Sequence, residues 1–549
     1  MHHDRIRHLA SGIIVAAHNR TGYDGRRLDG SSVLHPGEQV MKAIILLGAI
    51  LCLGSVVTMP GARAGEAAFQ AGFAERDITP DIGMEAPGGY GKAYHQSLHD
   101  PCKVRAAVFG DGPSRVAIVG VDTIGIRRAT VMAIRKEIEE KCGIKPEAVM
   151  IAASHSHAAG PLGFFLPGEF DDASPLVKSL VYDKTVTANP AYLARATREI
   201  VAAVVAADAS KVTAIAAAGF GREEQAAFNR RFRMRDGSSM THPGQGNPDI
   251  VEPAGPIDPQ VGVLGAWSKD GQFLGCVVNF ACHGTTGPGG ISADWIYYLE
   301  KTIRGLMGDK AIVVFVPGMA GDVTQVNNRS PYQIKQFGEV SARYVGGRVG
   351  AEAVKTLVSF EQAAGPLSPV AAQNEVLKIK RRAPKPERVA HALEIVKQDP
   401  AKVDATEWTF AKELVVLDAR IKKEPVADVE VQAVQVGPAV FLSCPAEYFC
   451  QFGLDIKAGS KFPFTFPVSL ANDCVGYVPT EEALSPHGGG YETRLTSYTN
   501  LEPAAGRQIA DAMIGLSAQL QPGAVPQPPP LPKFEGQPWS YGRVPPELD

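Results

Sequence analysis

Two histidines one residue apart, His155 and His157, close the apolar run Val149-Met150-Ile151-Ala152-Ala153-Ser154 and lead into the small residues Ala158-Ala159-Gly160-Pro161. The run is short and bounded by Pro146 and Gly160-Pro161, which favours a buried strand over a helical segment. Residues two apart on a strand share a face with α-carbons about 7 Å apart. Both rings could then reach one metal ion, or one could ligate while the other works on a substrate. A chain with thirteen histidines also produces such a pair by chance, so the pair alone does not choose. The same grammar recurs further on. Val277-Val278-Asn279-Phe280-Ala281-Cys282 runs into His283-Gly284-Thr285-Thr286, and residues 311–316 run into Pro317-Gly318-Met319-Ala320-Gly321-Asp322-Val323-Thr324. Polar, glycine-bearing turns after strands are where mixed α/β proteins build sites.

The elements that must position these residues can be read around them. Strands are expected at 71–80, at 104–109 and 116–121 across the turn Gly110-Asp111-Gly112-Pro113, at 261–267 and 273–282 across Lys269-Asp270-Gly271, and at 429–442. Helices are expected at 130–142, from Asp294 onward with Trp295, Leu299 and Ile303 at fourfold spacing, and through 509–516. The loop Gly88-Gly89-Tyr90-Gly91 lacks the spacing of a dinucleotide fingerprint. The fold class is therefore mixed α/β, a β-sheet core flanked by helices, and length alone would allow two to four domains; the family resemblance that the motifs below carry implies a single large catalytic domain over residues 65–521. Residues 384–424 turn charged and alanine-rich, as expected of a helical hairpin insertion with solvated faces and His391 as a bystander. Residues 522–549, with Pro528-Pro529-Pro530, form a proline-rich tail.

Composition narrows the class. A net charge of -3 with no long basic block leaves no electrostatic footprint for nucleic acid. Met41-Lys42, an apolar stretch to Gly54 and Ala62-Arg63-Ala64 make residues 41–64 a secretory signal, so residues 1–40 are expected to come from a start codon called too early. Leu51, not a small residue, immediately precedes Cys52, so the expected product is periplasmic or secreted, with no lipid anchor and no transmembrane anchor after cleavage. The seven remaining cysteines lack zinc-finger spacing; one or two bridges stay open, Cys444 with Cys450 among them. Neither Gly-x-Ser-x-Gly nor His-Glu-x-x-His occurs, against serine esterases and zincin proteases.

Taken in order, short motifs from about residue 71 to 516 resemble the neutral, non-lysosomal ceramidases, zinc-dependent amidases that split ceramide into sphingosine and fatty acid. The carriers are Asp77-Ile78-Thr79-Pro80, His99 to Arg105-Ala106, Ser154-His155-Ser156-His157, Asn229-Arg230, Cys282-His283, Gly321-Asp322-Val323-Thr324, Pro445-Ala446-Glu447, and Gly476-Tyr477-Val478 with Tyr491. The resemblance implies Zn2+ held by His155, His283, Glu447 and Tyr477, a donor set that suits that ion. It implies that His157, Arg230 and Tyr491 contact the reacting amide and that Thr324 takes the place of the family's active-site serine. Three departures stand out: Thr324 is followed by Gln325 where the family has Ser-Pro, Tyr477 and Tyr491 are further apart, and the C-terminal immunoglobulin-like domain of many members is expected to be missing. The implied function is hydrolysis of an N-acyl amide, ceramide or a related N-acyl lipid, by a metal-activated water. Alternatives are a zinc hydrolase of a small soluble amide or ester, and a non-catalytic periplasmic metal- or lipid-binding relative.

Overall fold

Eight strands of mostly β-branched, alanine and phenylalanine residues form the main sheet, in the order Ile312–Pro317, Phe273–Phe280, Gln260–Ser268, Val212–Arg222, Gln70–Asp77, Lys103–Gly110, Arg115–Val121, Val149–Ala153. The structure is a computed structural model that describes residues 68–112, 114–163 and 165–549. The expected start extension, the signal segment and Cys52 lie outside the described residues. The mixed α/β class expected from the sequence is the one observed: sheets enclosed by helices, with the described residues in one unit.

Most neighbouring strands are antiparallel, but both edges are parallel pairs, Arg115–Val121 with Val149–Ala153 and Phe273–Phe280 with Ile312–Pro317. The two halves of the sheet fold together where Gly120 meets Phe315. A Cβ on Gly120 would stand 2.3 Å from the Phe315 carbonyl oxygen, so only glycine permits this approach. A second sheet, Val370–Lys380, Val426–Val436, Ala439–Ser443 and Phe464–Val468, ends in a third parallel pair. It is stitched to the first: Ala153 N–H donates to Leu470 O at 3.1 Å, Asn472 N–H to Ile151 O at 2.8 Å and Ser469 N–H to Pro317 O at 3.0 Å. The C-terminal ends of six strands thereby face one region, the usual place for a site in sheets with parallel strands.

Helices cover the outer faces. Pro190–Ala209 packs on Gln70–Asp77 and Lys103–Gly110, and Arg128–Cys142 packs against that helix. On the other half Trp295–Met307, capped by the Asp294 carboxylate on Trp295 N–H, packs against Glu339–Phe360. Trp295, Leu299 and Ile303 are buried, as their spacing requires. Three sequence expectations need correction. The strand before the histidines stops at Ala153 and the one before His283 at Phe280, because both chains turn into loops. The expected strand 429–442 is two, Val426–Val436 and Ala439–Ser443, separated by a turn at Gly437 with φ 58°. The bridges that the sequence left open do not form: all seven described cysteines are free.

One buried charge ties strand to site. Arg105, 2% exposed, donates from Nη1 to Asp122 at 2.8 Å and from Nη2 to Glu300. Asp122 in turn accepts from Lys103 N–H, and the next residue, Thr123, offers its carbonyl to His155 N–H. Replacing Arg105 by Met leaves two buried carboxylates facing each other, so denaturant melts should show a loss of about 3–5 kcal/mol; an unchanged midpoint would mean the triad is idle.

Candidate active site

The loop after Val149–Ala153 brings the two histidines together, not the period of a strand. Ser154 N–H donates to Val121 O and His155 N–H to Thr123 O, so the chain follows its neighbour for two more residues. His155 then takes φ 64°, a left-handed conformation that a side chain adopts only when its surroundings hold it there. The surroundings are the second histidine turn: His157 N–H donates to Gly284 O at 3.0 Å, and a Cβ on Gly284 would lie 2.7 Å from His155 O. The turns interlock, and the ring of His155 lies 4.8 Å from that of His157 and 4.7 Å from that of His283.

Each ring is oriented by a backbone carbonyl. Nδ1 of His155 lies 2.9 Å from Ile124 O, Nδ1 of His157 3.0 Å from Gly88 O and Nδ1 of His283 2.7 Å from Ala320 O. A carbonyl only accepts, so each Nδ1 carries the hydrogen and each Nε2 presents a bare lone pair. Those lone pairs converge, with all three ligand atoms within 4.8 Å of one another. Glu447 adds Oε2 at 3.1 Å from His155 Nε2 and 3.0 Å from His283 Nε2. Despite that closeness His283 Nε2 and Glu447 Oε2 are buried without a hydrogen-bond partner. Acceptors gathered this way need a cation between them, and nitrogen with carboxylate oxygen suits zinc. The residues fit a metal ion.

Burial, then the neighbouring His155 and His283, hold His157 well below the usual histidine range, and burial, then Arg230, pushes His283 down to about 3. Burial acts to raise Glu447, and only positive charge on the neighbouring imidazoles holds its carboxyl well below the ordinary value. Its other oxygen, Oε1, accepts from Tyr498 at 2.5 Å.

A second layer of polar groups joins the site. Tyr477 lies beside Glu447 in a short parallel pairing. Its hydroxyl is 2.9 Å from that of Tyr491 and 3.1 Å from Arg230 Nη2. Arg230, 3% exposed, donates Nε to Glu492 at 2.7 Å and Nη2 to Gly321 O at 2.7 Å, with its guanidinium 5.2 Å from the Tyr491 ring centre. Burial first, then Glu447, raises Tyr477 far above the usual phenol, and burial raises Tyr491 as well, so both are neutral donors. Thr324 Oγ1 accepts from Val326 N–H at 3.1 Å. The turn it belongs to supplies the acceptors of His283 Nδ1 and Arg230. The glycine loop at Gly88, which the sequence shows only as lacking a dinucleotide fingerprint, supplies the acceptor of His157 Nδ1; Glu492 adjoins Tyr491, and nothing in the chain signals Tyr498.

The cluster opens on a cavity of about 560 Å³ whose lining is largely apolar and aromatic, including Tyr90, Ile124, Phe165, Phe410 and Val475. Here the helical hairpin forms, Pro386–Val396 packing against Ala405–Lys423, but the expectation of solvated faces is overturned. The helix Ala405–Lys423 buries Ala411 to Leu417, and its Thr409, Phe410, Glu413 and Arg420 form cavity wall. Lys412, wholly buried, donates to Tyr90 O and, at 2.7 Å, to Thr185 Oγ1, fastening the glycine loop that orients His157. Charged residues sit on that face because they pair inside.

No family model matches the sequence, and no curated protein matches it. Solved structures do. The chain is similar to neutral ceramidase from Pseudomonas aeruginosa, with TM-score 0.62 and 19% identity over 84% of this chain and 76% of that one. It is also similar to a ceramidase complexed with C2, with TM-score 0.61 and 19% identity over 86% and 78% of the two chains. At this identity the fold is what is shared.

The histidines give a pH prediction for metal-free protein. His283 has a folded value below its unfolded one, near 6.5, so its contribution is fully present above pH 6.5 and is lost as pH falls toward about 3. Thermal melts should therefore show stability falling steadily below pH 6.5, and His283→Ala should flatten that slope; a parallel slope in the variant would contradict the assignment.

Proposed function

We propose that the protein is a zinc-dependent amidohydrolase that cleaves an N-acyl amide, ceramide or a related N-acyl lipid. The observation that carries this is the convergence of three histidine lone pairs and a buried carboxylate at the end of a mostly apolar cavity. The shared fold and the ordered motifs support it. An apolar cavity of this size takes a lipid chain, whereas a small soluble amide would leave most of it unfilled. Export to the periplasm or medium, with residues 1–64 absent from the working protein, belongs to the same reading; among the described residues no helix is long and apolar enough to cross a membrane.

His155, His283, Glu447 and Tyr477 are the zinc ligands in this reading. Zinc there would supply a Lewis acid and a water of lowered pKa. The chain's own residues do the rest. Neutral His157, fixed through Nδ1 to Gly88, keeps Nε2 as an acceptor, so it takes a proton from the nucleophile and returns it to the leaving amine. Tyr491 and Arg230 are donors that need no reorganisation, since Glu492 and Gly321 already hold the guanidinium. They stabilise charge developing on the amide oxygen. Thr324 acts through the turn that carries the acceptors of His283. The apolar wall excludes water and holds the acyl chain.

Metal analysis of single variants tests the roles. His155→Ala and His283→Ala should lose zinc and activity together. His157→Ala should keep zinc while turnover falls roughly 100- to 10,000-fold, the range for loss of a general acid or base. Equal zinc loss in His157→Ala would instead make the three histidines the ligand set, which their mutual distances also allow. Binding of metal and lipid without any turnover of N-acyl amides would leave a non-catalytic relative.

A further inference from the structure

Two arginines stand in the wall of the cavity where an apolar lining would serve a neutral lipid better. Arg127 and Arg420 both line it, together with Phe165, whose ring centre lies 5.2 Å from the Arg420 guanidinium. Their counter-charges lie behind them. Glu169 accepts from Arg127 Nη2 at 3.2 Å and from Arg420 Nη2 at 3.0 Å, and Asp473 is 3.7 Å from Arg127 Nε, yet neither acid is among the described residues lining the cavity. Two carboxylates line the cavity: Glu447 faces His155 and His283, and Glu413 is engaged by Lys412 at 3.0 Å and by Ser497. Burial first, then the proximity of Arg127, pulls Arg420 down to about 10. Arg420 Nε is buried without a hydrogen-bond partner.

The arginines are also close to the reacting centre. Arg127 follows Ile124, the acceptor of His155 Nδ1, by three residues, a span of about 11 Å at most. Arg420 Nη1 donates to Ser497 O at 3.2 Å, and the next residue, Tyr498, donates to Glu447. That nearness suits an anion next to the amide nitrogen better than one at the far end of a long acyl chain. We propose that the substrate carries a carboxylate on its amine half, making it an N-acylated amino acid, and that Arg127 and Arg420 receive that carboxylate. This rests on the amidohydrolase reading above. Each Nη carries two hydrogens, and Glu169 and Ser497 O take one from each, so the second hydrogens are the donors a substrate carboxylate would meet, while the apolar remainder of the wall takes the acyl chain.

N-decanoylglycine and N-decanoylethanolamine differ in that one group and are the probes. With zinc-loaded full-length protein, kcat/KM for the acid should exceed that for the neutral amide by about 10- to 100-fold, as for a hydrogen-bonded charge. Arg420→Met should bring the ratio close to one. Thermal shifts without added metal should rank the two probes in the same order and lose the ranking in Arg420→Met. Should that variant fail to fold, the wild-type ratios decide alone. Equal handling of both probes, or a preference that survives Arg420→Met, overturns the inference and leaves the amidohydrolase reading intact. Binding of the acid through Arg420 with cleavage of neither probe overturns the catalytic reading and keeps the carboxylate site. Neither binding nor cleavage of either probe overturns both.

Discussion

Three imidazoles can share one small buried space only if each spends its Nδ1 hydrogen elsewhere, and the rest of the structure answers to that constraint. The three acceptors are main-chain carbonyls from separate segments: Ile124 after Arg115–Val121, Gly88 on the glycine loop and Ala320 after Ile312–Pro317. Carbonyls cannot donate, so the tautomers have no alternative, and the facing Nε2 atoms are left to a cation. Parallel pairing at both sheet edges delivers two of these carbonyls, because strands that run the same way end at the same level. The stitch through Leu470 and Asn472 brings the third parallel pair, and with it Glu447 and Tyr477, to that level too.

Outside the cluster the polar groups are held in a fixed hierarchy. Glu492, fully buried, binds Arg230 and Thr241, and Asp322 binds Asn229 and the Cys450 N–H. Arg230 and Asp322 have their partners in place before any substrate arrives, which keeps the guanidinium preorganised toward the position where charge develops. The hairpin helix extends the same logic to the cavity. Its Lys412 and Glu413 neutralise each other inside, and Lys412 reaches across to the Tyr90 carbonyl. An element that reads as solvated surface thereby becomes both wall and brace.

The sequence by itself determined the strands that lead into chemistry. Apolar runs ending in His155-x-His157 and in His283, and the polar turn through Asp322 and Thr324, were visible because burial on both faces demands uninterrupted apolar residues and their end must be polar. The ordered motifs placed Glu447, Tyr477, Arg230 and Tyr491 beside them, and all lie at or next to the cluster. Tertiary structure alone decided the rest. Strand geometry would have set the two histidines side by side, but the left-handed turn at His155, held by Gly284, is what makes their rings converge. The roles of Gly88, Tyr498 and Glu492, and the burial of Lys412 and Glu413, rest on partners tens to hundreds of residues away in the chain. Charge and hydropathy patterns report whether a residue can be solvated; they do not report a counter-charge that arrives only when the chain has folded.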